Sequence, residues 1–141
     1  MYEKFITILE ASSTPKGKRC LKIQINIDPV PWSAPKFCRG RTFSKHGSFK
    51  KALQDSLKAC YKGEMLKGAL RCDLTFYLVD TSKKGYKEEY HIKKPDRSNL
   101  CKLLEDCLEK VFFKNDSAIV AGDVRKEKGI VGKTEIILTE L

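Results

Sequence analysis

KPDRSNLCKLLEDCLEKVFFKNDSAIV, residues 94–120, is the stretch from which the rest of the chain can be placed. Pro95 fixes its own φ and holds Lys94 extended, so a helix is expected to begin just after it. Asp96 or Ser98 would then accept from the first free backbone N–H groups. Leu100, Leu103, Leu104, Cys107, Leu108 and Val111 recur at i, i+3, i+4, i+7, i+8 and i+11, one stripe of an amphipathic helix facing a core. The other face carries Ser98, Lys102, Glu105 and Glu109, with Asp106 one turn beyond Lys102. A solvated surface with a Lys102–Asp106 pair would look the same. The flanks favour a site instead. Asp96 stands at the helix start, and Asp116 comes after Val111-Phe112-Phe113, placed to enter a strand at Ala118-Ile119-Val120. Carboxylates gathered around a lysine suit a hard cation such as Mg²⁺ and a phosphate.

Upstream of this stretch lies a scaffold. Phe5–Leu9 is a short apolar run suited to an edge strand, and Ala11–Arg19 is a turn-rich loop. Leu21–Ile27 alternates strictly, as a half-buried strand does. It ends at Asp28-Pro29, and Pro31 and Pro35 keep the next segment extended. From Trp32 to Gln54 there is no acidic residue, while Lys36, Arg39, Arg41, Lys45, Lys50 and Lys51 stand among Trp32, Phe37 and Phe43. That mixture suits phosphate contact and stacking on unpaired bases, or equally a solvated loop with its aromatics in the core. Gly47–Tyr61 reads as a helix with Phe49, Leu53, Leu57 and Cys60 on one side and Ser48 as cap. Ala69–Val79 reads as a strand whose inner face is Leu70, Cys72, Leu74, Phe76 and Leu78. Asp80–Lys87 is a loop, and His91 beyond it either meets a phosphate or is structural.

After Asp116 a strand is expected through about Arg125, then a turn around Lys126–Gly132 and a last strand Thr134–Thr139. The order β-β-α-β-α-β-β describes an α+β domain, a mixed β-sheet with two main helices on one side. At 141 residues the chain is expected to be one domain over 1–141, with 1–20 peripheral. The net charge of +10 favours a polyanionic partner, nucleic acid first. No apolar run is long enough to span a bilayer, and no leader pattern opens the chain. The six cysteines lack Cys-x-x-Cys spacing, so we expect reduced thiols in a cytoplasmic protein rather than disulfides or zinc.

The run Pro95-Asp96, Asn99-Leu100, Lys102, Asp106-Cys107-Leu108 and Asn115-Asp116 resembles the RusA family of Holliday-junction resolvases. Gly40-Arg41-Thr42 is similar to that family's basic N-terminal loop, and Gly132-Lys133-Thr134-Glu135-Ile136 to its final strand. The resemblance implies an Mg²⁺-dependent endodeoxyribonuclease, with Mn²⁺ a substitute, acting on four-way DNA junctions as a homodimer in recombination and repair. It implies Asp96, Lys102 and Asp116 as catalytic residues and Asp96 and Asp116 as metal ligands, with Asp106 either a ligand or a support for one. Ser98 stands where relatives usually carry a second Asp, and Asn115 where they carry the first of an Asp pair. Both can still offer neutral oxygens. Glu105, two helical turns from Ser98 on the same face, is expected to supply a missing charge. The expected DNA contacts are Lys36, Arg39, Arg41 and Lys45, joined by Lys94, Arg97 and Lys126 around the motif. Phe112 and Phe113 are expected as exposed aromatics, at the dimer interface or under the site. Two rival readings remain: a non-catalytic binder of branched DNA on the same scaffold, and a basic adaptor for RNA or an acidic protein.

Overall fold

The computed structural model describes residues 1–11, 17–31, 36–38, 41–43, 47–81 and 89–141, with 36–38 and 41–43 described as backbone. In chain order come strands Ile6–Ala11 (β1) and Cys20–Ile25 (β2), then short strands Lys36–Cys38 (β3) and Arg41–Phe43 (β4), and helix Gly47–Cys60 (α1). Strand Leu70–Leu78 (β5), helix Arg97–Leu108 (α2), and strands Ile119–Ala121 (β6), Val124–Lys128 (β7) and Lys133–Glu140 (β8) complete it.

β5 is paired along both edges, next to the β6–β7 edge of the sheet, and its alternation is complete. Leu70, Cys72, Leu74, Phe76 and Leu78 are all buried on one face. β8 pairs antiparallel along one edge of β5, then β2 on β8 and β1 on β2. β6 and β7 run parallel to β5 along its other edge. Both helices cover the same face: Leu53 and Leu57 of α1 and the leucine stripe of α2 join the inner residues of β2, β5 and β8 in one core. The sheet is thus mixed, with two helices on one side, as the α+β reading expects.

Three expectations need correction. The strand expected to run unbroken through Arg125 is two strands, split at Gly122-Asp123, and the second continues to Lys128. At Gly122 φ is +143°, and a Cβ there would stand 1.8 Å from the Cys72 carbonyl oxygen. Only glycine lets the chain pass so close to β5. The pairing register slips one step earlier, at Val120, and past the break the Leu74 N–H donates to Asp123 O at 2.9 Å. Second, the basic stretch contains the β3–β4 antiparallel pair rather than extended chain alone.

Third, Phe112 and Phe113 are not exposed. The helix ends at Leu108, and Lys110 adopts φ 66° while its N–H donates to Phe113 O at 2.7 Å. That turn folds Val111, Phe112 and Phe113 into the core, where Phe112 meets the Tyr61 ring at 4.8 Å between centroids. The expected loops at 11–19 and 80–87 fall largely outside the described residues. Cys20, Cys60, Cys72, Cys101 and Cys107 are free thiols. Among the described residues no helix is long and apolar enough to cross a membrane.

Candidate active site

Helix α2 is anchored at its start to β7. Asp96 occupies the N-cap position with extended backbone, and its carbonyl accepts the Leu100 N–H at 3.1 Å, but its side chain makes no capping bond. The Arg97 guanidinium donates to Val124 O at 3.1 Å, and Lys126 Nζ donates to Lys93 O at 2.6 Å. Two cations expected on DNA therefore also pin the approach to the helix. Burial lowers the pKa of Lys126, and the Asp96 carboxylate opposes that shift.

Between α2 and the break in the β6–β7 edge lies an open cleft of about 720 Å³. Ser98, Cys101, Lys102, Glu105 and Asp106 line it from the helix, at i, i+3, i+4, i+7 and i+8. Asp116, Gly122, Asp123, Val124 and Arg125 form the facing wall. Ser98, Lys102, Glu105, Asp106, Asp116 and Arg97, singled out in the sequence, thus share one cavity. Asp96 directly precedes the cleft-lining Arg97 but is not itself part of the lining. Lys94 is exposed. Arg39 and Lys45 lie outside the described residues, and Lys36 and Arg41 are described as backbone alone.

At one end of the cleft the carboxylates of Asp106, Glu109 and Asp116 bring oxygens within 4.8 Å of one another. Each is held by local structure. Gln54 of α1 donates to Glu109 O at 2.8 Å and Asp106 O at 3.4 Å, fixing the last turn of α2. Asp106 pairs with Lys50 of α1 at 3.9 Å. Asn115 Oδ1 accepts the Ser117 N–H at 2.9 Å, capping a single 3₁₀ turn whose first residue is Asp116. Asn115, expected as a neutral stand-in for a carboxylate, therefore holds its neighbour in place.

Glu105 shares this field. Burial raises its pKa, the negative charges of Asp116 and Asp106 raise it further, and the Cys101 thiol bonded to it at 3.3 Å works the other way. Burial and the same Glu105 charge push the Cys101 thiol up to about 12, so it stays protonated and is no nucleophile at neutral pH. Hard oxygen donors crowded against their own repulsion fit a divalent cation of the Mg²⁺ kind. Glu109 and Asp123 are the cleft-region acids that sequence reasoning left out of the site. Glu109 was visible on the polar face of α2, four residues past Glu105. Asp123 was signalled only by a glycine inside a strand pattern. Its carboxylate accepts from Arg71 at 3.3 Å and its N–H donates to Asp73 at 2.9 Å.

Compared with known proteins, the chain matches the family described as endodeoxyribonuclease RusA over residues 26–139. A comparison with individually curated proteins gives no significant match.

Proposed function

We propose a function from one premise: the chain belongs to the RusA endodeoxyribonuclease family. Membership makes it a nuclease of DNA. On our reading it is an Mg²⁺-dependent, structure-selective enzyme that resolves Holliday junctions by paired phosphodiester hydrolysis, in recombination and repair. It works in the cytoplasm as a homodimer, because a four-way junction has two-fold symmetry and resolution takes two like nicks. The observation that carries this reading is the cleft itself: Ser98, Lys102, Glu105 and Asp106 from one helix face Asp116 from the opposite wall.

In this reading Asp116, Asp106 and Glu105 hold the cation, Glu109 completes the acidic end, and Asp96 and Ser98 at the start of α2 are its further ligands. A bound Mg²⁺ or Mn²⁺ supplies charge neutralisation at the phosphoryl oxygens and an acidified water. Lys102 places its ammonium on the developing phosphoryl charge, an interaction worth most in the transition state. Arg97 and Arg125 hold backbone phosphates at the cleft rim, joined by Lys94, Lys126 and the cations of residues 36–45. Asp106, pinned by Gln54 and Lys50, keeps the acidic end rigid.

A second reading is favoured by Ser98 and Asn115. Ser98 carries no charge and Asn115 is committed to its cap, so the protein would bind branched DNA without cutting it. Cleavage of a synthetic four-way junction in Mg²⁺ and in Mn²⁺, beside a linear duplex of the same sequence, separates the two. Resolvase action predicts paired nicks on the junction alone. Tight junction binding without nicks in either metal favours the second reading, and equal affinity for junction and duplex sinks both.

A further inference from the structure

Aliphatic side chains gather at one end of the sheet, outside the cleft. The turn Gly129-Ile130-Val131-Gly132 joins β7 to β8, with Ile130 96% and Val131 64% exposed. Val79 stands beside this turn, because Leu78 pairs with Lys128 and its carbonyl accepts the Gly129 N–H at 2.9 Å. Ile92, 72% exposed, directly precedes Lys93, whose ammonium pairs with Asp80 just past β5 at 3.4 Å.

The turn is built to hold its tip outward. A Cβ at Gly132 would stand 1.9 Å from Asp28 Oδ1, and one at Gly129 would stand 2.8 Å from Val131 O. Glycine at both ends thus lets a short turn close against its neighbours, which leaves Ile130 and Val131 to water. The flanking sequence is cationic. Along residues 125–135, Arg125, Lys126, Lys128 and Lys133 outnumber Glu127 and Glu135, which pair with Arg125 at 2.7 Å and Lys133 at 3.4 Å, in a chain of net charge +10, with Asp28 the acid packed on Gly132. A polyanion would be drawn to these cations, and the apolar surface a nucleic acid offers is the face of a base. Intact duplex hides those faces in its stack, whereas a branch point leaves them open.

We propose that the Ile130–Val131 turn is a wedge that packs against bases at a DNA branch point and gives the protein its preference for branched substrates. The proposal rests on the nuclease reading and adds the part of the substrate that selects it. Val124 lies in the cleft wall and Ile130 six residues on, so at about 3.3 Å per strand residue the tip is on the order of 20 Å from the cleft. One DNA molecule spans both.

The test is the double variant Ile130→Ser/Val131→Ser, whose exposed side chains leave the core untouched, as an unchanged thermal melt would verify. Binding is measured in EDTA to a four-way junction with 2-aminopurine beside the branch point, and to a linear duplex. The unaltered protein should raise the aminopurine fluorescence. The variant should lose that rise and about tenfold or more in junction affinity, the scale of burying an isoleucine, with duplex affinity unchanged. A variant that keeps the rise and the affinity overturns the wedge while leaving the nuclease reading intact. So does a loss equal on both DNAs, or a fall in oligomeric mass, which would make the tip a contact between copies. If the unaltered protein itself shows no preference for the junction, the resolvase reading falls and the wedge with it.

Discussion

Helices α1 and α2 bury the same kind of stripe against the same face of the sheet, Leu53 and Leu57 in one, Leu100, Leu103, Leu104 and Leu108 in the other. Their polar faces differ in what they meet. Lys51, Asp55 and Lys58 of α1 are exposed, while Lys102, Glu105 and Asp106 of α2 look across a cleft at Asp116 and Asp123. Periodicity cannot separate the two helices. The segment after α2 separates them: the left-handed turn at Lys110 sends the aromatic pair into the core, and Asn115 then presents Asp116 back beside the helix. A polar helix face becomes a site when the next segment returns a wall to it.

The difference between the helices should collapse most fully when that wall loses its charge. Asp116→Asn should take junction cleavage in Mg²⁺ below detection while the melting curve in EDTA is kept. Lys102→Ala should cost about 10²–10³ in kcat, as expected for loss of a group acting on transition-state charge, whereas Lys58→Ala on α1 should leave kcat as it is.

The wall's shape comes next. Gly122→Ala should destabilise the fold by about 3 kcal/mol or more in urea denaturation, through its positive φ and the contact with Cys72. An alanine accepted there without cost would mean the break between β6 and β7 is not set by close approach to β5.

Glu105→Gln brings out the contrast through pH. The folded-state pKa of Glu105 is raised above its ordinary value by burial and then by Asp116 and Asp106. The favourable, protonated contribution is present below the unfolded carboxylate value and is lost as pH rises through the raised one, so ionised Glu105 opposes folding at neutral pH. Without metal the glutamine variant should therefore melt higher than the unaltered protein at pH 7, and the difference should vanish at acidic pH. In Mg²⁺ the order should reverse, since a carboxylate facing the cation is gone. The smallest effect is expected on α1: Asp55→Ala should change stability by less than about 0.5 kcal/mol, as at other exposed positions, with cleavage untouched.

Much of this fold is legible in the sequence. Complete alternation in β5 and the leucine stripe of α2 each admit one buried face, so the core follows from the pattern. The cleft-lining residues of α2 follow as well, because 98, 102, 105 and 106 share a helix face by arithmetic. The facing wall is harder. Gly122 lies inside an apolar run and reads as strand, and only the backbone of Cys72 explains why glycine is required. Phe112 and Phe113 follow the helical stripe as a short aromatic run and read as exposed, since the positive φ at Lys110 carries no sequence signal when the residue is lysine. Glu109 is visible on the polar face, but its meeting with Asp116 depends on the returning turn. Local pattern fixes which face of an element is polar, and tertiary return fixes what that face is for.

The most direct measurement is a crystal of the protein soaked in Mn²⁺, with anomalous difference density collected at the manganese edge. A nuclease centre predicts a peak in the cleft within coordination distance of Asp116 and at least one carboxylate of α2, lost in Asp116→Asn crystals. Manganese bound elsewhere, with nothing in the cleft at concentrations that support cleavage, would contradict it.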